Sequence, residues 1–145
     1  VNPPLRTPAD REALRRAVKD GTIDILVTDH APHAAHEKEC PLDEAPNGIT
    51  GLDTALSLTY GLVEEGVLEE AELLPLWCTA PGNIFKLPVN AFAPGDPADF
   101  FLFNPEARWT VSPESIYSKS CNTPFKGKQL RGRVVAHWIG GHKIV

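Results

Sequence analysis

The sequence predicts an α/β fold that gives way, in its last third, to an antiparallel β layer. Three observations carry that expectation. A β-branched and aliphatic run, TIDILVT at residues 22–28, lacks two-residue alternation and is expected to be buried on both faces, as in a parallel sheet covered by helices. Segments of helical spacing stand on either side of it. Beyond Leu87 the texture shifts to short β-rich runs, DFFLF, RWTV, RVVAHWI and KIV, separated by Pro, Gly and Asn. A boundary is therefore expected near residue 88, dividing the chain into units 1–88 and 89–145.

The elements follow in order. Thr7, Pro8 and Asp10 supply a cap, a pre-set first turn and an acid at the positive end of a helix over about residues 8–20. Leu14, Ala17 and Val18 give that helix an apolar face, and Gly21 ends it. The aliphatic run then reads as a parallel strand with Asp29 at its carboxyl end. After a polar loop over about residues 33–50, Leu52, Ala55, Leu56, Tyr60 and Val63 recur at helical spacing and predict a helix over about 51–64. EEAELLPLWCTAPGNIFKL reads as two short helices, with Pro75 and Pro81 at first-turn positions rather than in helix interiors.

Composition narrows the functional classes. The 145 residues are 42% hydrophobic, enough for one ordinary globular core, and the formal charge of −5 without a basic cluster argues against nucleic acid. No apolar stretch approaches the roughly 20 residues that a membrane-spanning helix needs. A small molecule or another protein is the expected partner. Cys40, Cys78 and Cys121 are odd in number and far apart, which indicates neither a disulfide framework nor a zinc knuckle and fits a reducing cytoplasm. The chain has no methionine and begins at Val1 without a secretory leader pattern, as expected of a piece of a longer polypeptide.

Chemistry concentrates in ILVTDHAPH, residues 25–33. In parallel α/β barrels catalytic residues sit at the carboxyl ends of strands, so Asp29 stands where such folds do chemistry. By position alone it is equally a helix-capping or turn-forming acid. His30, His33 and His36 are spaced as a metal site could be, and equally as solvated or packed loop histidines.

Combination is more specific than any one of these. VNPPLR at residues 1–6, TDHAPH at 28–33, HEK at 36–38, APNGITGLDTAL at 45–56, NTPFKGKQLRG at 122–132 and the closing GGHKIV resemble, in order and separation, the carboxyl-terminal part of bacterial dihydroorotases of the amidohydrolase superfamily. The resemblance implies the end of a (β/α)8 TIM barrel over residues 1–88. Residues 89–145 would then be part of a small, composite β-sandwich domain. It also implies a one- or two-zinc centre and reversible cyclisation of N-carbamoyl-L-aspartate to L-dihydroorotate in pyrimidine (UMP) biosynthesis.

What the resemblance implies for individual residues is compatible with that chemistry. Opening a cyclic amide requires an activated water, an electrophile for the carbonyl oxygen and a group that carries a proton to the leaving nitrogen. The resemblance makes Asp29 both a metal ligand and that proton carrier. It gives Asn2 and His33 the substrate carboxylate, for which an amide NH2 and an imidazole N–H are suitable donors. Asn47 and Gly48 would meet the amide edge of the ring through main-chain groups; many family members carry phenylalanine where Asn47 stands, a departure that removes an apolar wall over the substrate and spares a backbone contact. His30 is expected to support the site, and Arg6 and Lys38 to form loop-fixing ion pairs. The SKSCNTPFKGKQL stretch, residues 118–130, reads as turn and linker.

The family's other metal ligands and its carboxylate-binding arginine do not occur here, so residues 1–145 describe part of an active site. The resemblance further implies a homodimer of the complete enzyme and association with the rest of its own polypeptide. A different reading is a metal-free, dihydroorotase-like scaffold subunit associated with aspartate transcarbamoylase.

Overall fold

The computed structural model describes residues 1–145 as five helices followed by a three-stranded antiparallel sheet. Helix α1 spans Pro8–Lys19, α2 Ala35–Lys38, α3 Ala55–Glu64, α4 Glu70–Trp77 and α5 Thr79–Phe85. Strands β1 (Phe100–Thr110), β2 (Gln129–Ile139) and β3 (His142–Lys143) lie in the order β1-β2-β3. No helix is long and apolar enough to cross a membrane.

The α1 start follows its local chemistry. Thr7 Oγ1 accepts from the Asp10 N–H at 3.3 Å while Asp10 Oδ2 accepts from the Thr7 N–H at 2.9 Å, a reciprocal capping box. Of its expected apolar face, Val18 packs on the core but Leu14 is 60% exposed, and no residue of α1 is buried. Arg15 to Glu65 and Lys19 to Glu72, each at 2.7 Å, hold its far side to the rest of the chain.

The expected buried strand over residues 23–28 does not form. The segment is irregular in hydrogen bonding: Leu26 N–H donates to Leu76 O at 3.1 Å, Ala31 N–H to Ile49 O at 2.9 Å, and His30 pairs with Ile49 in a single parallel bridge. Val27 is 72% exposed. A strand exists only where a neighbour pairs with it along its length, and here the pairing is confined to the one bridge at His30 and Ile49.

Pro75 is a second correction, since it lies inside α4 rather than in a first turn. Only its own missing N–H is lost from a helix of two turns, and the Cys78 N–H still reaches Leu74 O and Pro75 O at the end. Pro81, by contrast, stands in the first turn of α5. The expected second long helix begins at Ala55, leaving Leu52 outside it and 64% exposed.

DFFLF and RWTV fuse into the single strand β1. It bulges where residues 105–107 face Gly132 of β2, which also accommodates Pro105. Gly132 is required there: its φ is +81°, and a Cβ would lie 2.3 Å from Phe103 Cζ.

Two small cores meet across α3. Tyr60, Leu68 and Leu73 form one, with Phe103 of the sheet packed against Tyr60 at a ring separation of 5.2 Å. Trp109, Val111 and Leu130 form the other, against Leu58, Ile116 and Phe125. Between them Ser57 Oγ donates to Gly132 O at 2.6 Å and Trp109 Nε1 donates to the same carbonyl at 3.1 Å. These buried polar atoms are therefore satisfied, and they fix α3 against β2. That contact brings the loops ahead of α3 to the segment between the first two strands.

Candidate functional site

Three loops converge beside the amino-terminal end of α3: residues 28–38, 46–53 and 117–123. None can hold its shape alone, because each is rich in backbone groups without a helix or sheet partner. Their contacts satisfy one another.

His30 Nδ1 accepts the N–H groups of Gly51 at 3.1 Å and Leu52 at 3.3 Å. That ring nitrogen is therefore the unprotonated one, and His30 organises the turn into α3. Three residues on, His33 Nε2 lies 3.0 Å from Asn47 O. A carbonyl only accepts, so Nε2 carries the proton here. Its Nδ1 faces Glu37 Oε2 at 3.8 Å.

Gly48 is held from several directions. Lys38 Nζ donates to Gly48 O at 2.9 Å and also to Pro46 O. Asn122 Nδ2 donates to the same Gly48 oxygen at 2.9 Å. Its φ of +116° favours glycine, and a Cβ would stand 2.4 Å from Ala31 Cβ. Lys38 thus bonds main-chain carbonyls instead of forming the ion pair expected from sequence. Arg6 lies 3.9 Å from Asp10, an exposed i,i+4 pair.

The third loop, read from sequence as turn and linker, is a bracket. Ser120 Oγ donates to His33 O at 2.6 Å, the Thr50 N–H donates to Asn122 O at 2.9 Å, and Asp53 accepts the Tyr117 N–H at 2.7 Å. Ser and Asn in a loop signal side-chain bonding to backbone. The partners lie 64 to 87 residues away in sequence, so the signal could not say to what.

Asp29 follows the irregular segment with φ +46° and its side chain exposed. Asp tolerates that left-handed conformation better than most residues, and such outliers concentrate at functional sites. Asn2 is exposed within the amino-terminal six residues, outside the network that joins His33, Asn47 and Gly48.

No group of three or more His, Cys, Asp or Glu side chains is gathered closely enough to hold an ion, so the His30, His33 and His36 trio does not assemble. His30 and His33 have spent one ring nitrogen each on the backbone. Zinc in enzymes takes about three protein ligands or more. Asp29 offers one carboxylate, and these residues by themselves do not fit a zinc site.

The chain as a whole is similar to known proteins. The model of the amidohydrolase family matches residues 3–144. A dihydroorotase of Anaeromyxobacter dehalogenans (strain 2CP-1) is 47% identical over 145 residues, 100% of this chain and 33% of the relative. A dihydroorotase of Elusimicrobium minutum is 46% identical over 142 residues, 97% of this chain and 33% of the relative. The chain thus spans about a third of the length of the curated relatives it matches. Among solved structures, a dihydropyrimidinase from Brevibacillus agri superposes with a TM-score of 0.90 at 25% identity, over 99% of this chain and 33% of that one.

Proposed function

Because the chain belongs to the amidohydrolase family, we propose that it carries one wall of a dihydroorotase active site, which opens L-dihydroorotate to N-carbamoyl-L-aspartate and closes it again. The observation that carries this reading is the convergence of His33, which closely follows Asp29 in the chain, with Asn47 and Gly48 in one network. Identity of 47% to a dihydroorotase over the whole chain supports it.

The chemistry assigned to the residues is as follows. In the opening direction water adds to the ring carbonyl, its proton passes to the Asp29 carboxylate, and the C–N bond breaks as that proton is delivered to the ring nitrogen. In the closing direction the same carboxylate removes the amide proton and returns it to the departing water. A carboxylate is a stronger acceptor than a peptide carbonyl, so the substrate's carboxylate competes with Asn47 O for the His33 Nε2 proton. Asn2 is the second donor to that carboxylate. The Asn47 and Gly48 N–H groups, which form no hydrogen bond within the chain, are assigned the carbonyl edge of the ring.

Zinc, which the family resemblance implies, would supply the electrophile. Residues 1–145 offer it Asp29, and the remaining ligands belong to the two thirds of its relatives that this chain does not span. The same reading places the complete enzyme in the cytoplasm as a homodimer, with residues 1–88 closing a TIM barrel and 89–145 in a β-sandwich domain.

The test is a chimera in which residues 1–145 replace the matching third of the Anaeromyxobacter dehalogenans enzyme. Zinc-loaded chimera should interconvert N-carbamoyl-L-aspartate and L-dihydroorotate. Asp29→Asn in that background keeps the shape and removes the base, so turnover should fall about 100-fold or more with KM much less affected. A folded, metal-loaded chimera without turnover would overturn the reading and favour a scaffold role beside a transcarbamoylase.

A further inference from the structure

We infer that Lys38 and Asn122 are positioning residues for the substrate loop, a step that rests on the proposed role of Gly48 and deepens it. Three consecutive carbonyls, those of Pro46, Asn47 and Gly48, are all turned toward side chains of the same chain. Lys38 holds the first and third, His33 the second, and Asn122 shares the third. These three side chains come from two loops far apart in sequence, so the loop's orientation is set by tertiary contacts rather than by its own turn chemistry.

The consequence is geometric. A planar peptide unit with its carbonyl pinned on one side presents its N–H on the other, so Lys38 on Pro46 O fixes the Asn47 N–H directly, and with Asn122 on Gly48 O it fixes the two units that flank the Gly48 N–H. The Asn47 and Gly48 N–H groups are bonded to nothing in the chain and stay open to a ligand.

His33 cannot hold the loop during binding if it turns its Nε2 proton to the substrate carboxylate. Lys38 and Asn122 can, because neither is assigned a contact with substrate. The Lys38 ammonium is half-buried with two carbonyl oxygens as acceptors, and charge-assisted bonds of this kind are about twice as strong as neutral ones. Asn122 is itself fixed, since its carbonyl accepts the Thr50 N–H at 2.9 Å and the Thr50 hydroxyl at 3.3 Å.

The experiment compares four variants of the chimera by steady-state kinetics and thermal melting. Lys38→Met and Asn122→Ala should each raise KM for L-dihydroorotate about tenfold, the worth of one well-made hydrogen bond, with kcat changed less than about threefold. Lys38→Arg, which keeps two or more donors, should recover most of the loss. His33→Ala is the control for the parent reading and should raise KM as well. Should His33→Ala raise KM while Lys38→Met and Asn122→Ala, both folded, leave it unchanged, the positioning role is refuted and the substrate reading stands. Unchanged KM in all of them refutes the substrate reading of this loop. If Asn122→Ala fails to fold, the Lys38→Met and Lys38→Arg pair decides. A Lys38→Arg enzyme as impaired as Lys38→Met, with equal melting temperatures, also counts against positioning through donated hydrogen bonds.

Discussion

Adding one methyl group at Gly48 should separate the loop's shape from its chemistry. Gly48→Ala asks an L residue to adopt φ +116° and puts its Cβ 2.4 Å from the Ala31 Cβ and 3.5 Å from His33 Nε2. Carbon atoms prefer about 3.5–4.0 Å. Ala31 Cβ has no torsion by which to turn away, so the backbone of one loop must move. The backbone conformation costs about 1–3 kcal/mol and overpacking about 1–3 kcal/mol, or about 2–6 kcal/mol against the native loop. Even the lower figure corresponds to about a thirtyfold loss of the competent conformation.

The assay is KM for L-dihydroorotate in the chimera, read against kcat and the melting temperature. KM should rise at least about thirtyfold while the fold persists, because the cores around Tyr60 and Trp109 lie elsewhere. A KM within twofold of the parent, with the loop seen unmoved in a crystal structure of the variant, would refute the reasoning.

Three further outcomes are expected. Residues 1–145 alone should show neither turnover nor stoichiometric zinc, measured by atomic absorption on the purified chain; tight zinc together with activity would point to a self-sufficient site around His30, His33 and His36. Tyr60 donates to Glu70 Oε1 at 2.6 Å, and that bond and burial push its phenol up to about 12. The folded state therefore favours the neutral phenol: this stability is complete below about pH 10, where the unfolded phenol titrates, and is lost as pH rises to about 12. Alkaline unfolding of the chimera should lose that limb in Tyr60→Phe, and identical pH profiles would contradict it. Leu73, 1% exposed, should cost about 2–5 kcal/mol on truncation to Ala, read as a shift of the urea midpoint.

Features whose causes are local could be read directly from the residues. The α1 start was legible because Thr7, Pro8 and Asp10 carry its cap and first turn within four residues. The antiparallel layer was legible because runs of strand-forming residues bounded by Pro, Gly and Asn carry their signal within each run. The family was legible because TDHAPH and APNGITG keep their order and separation. Tertiary structure decided what depends on distant partners. Residues 23–28 have strand composition, yet a strand exists only beside another, and this chain supplies a single bridge, His30 to Ile49. Lys38 looked like an ion-pair residue and Asn122 like part of a linker. Only folding brings them to the same oxygen of Gly48, 10 and 74 residues away, and no local pattern encodes a contact closed over that distance.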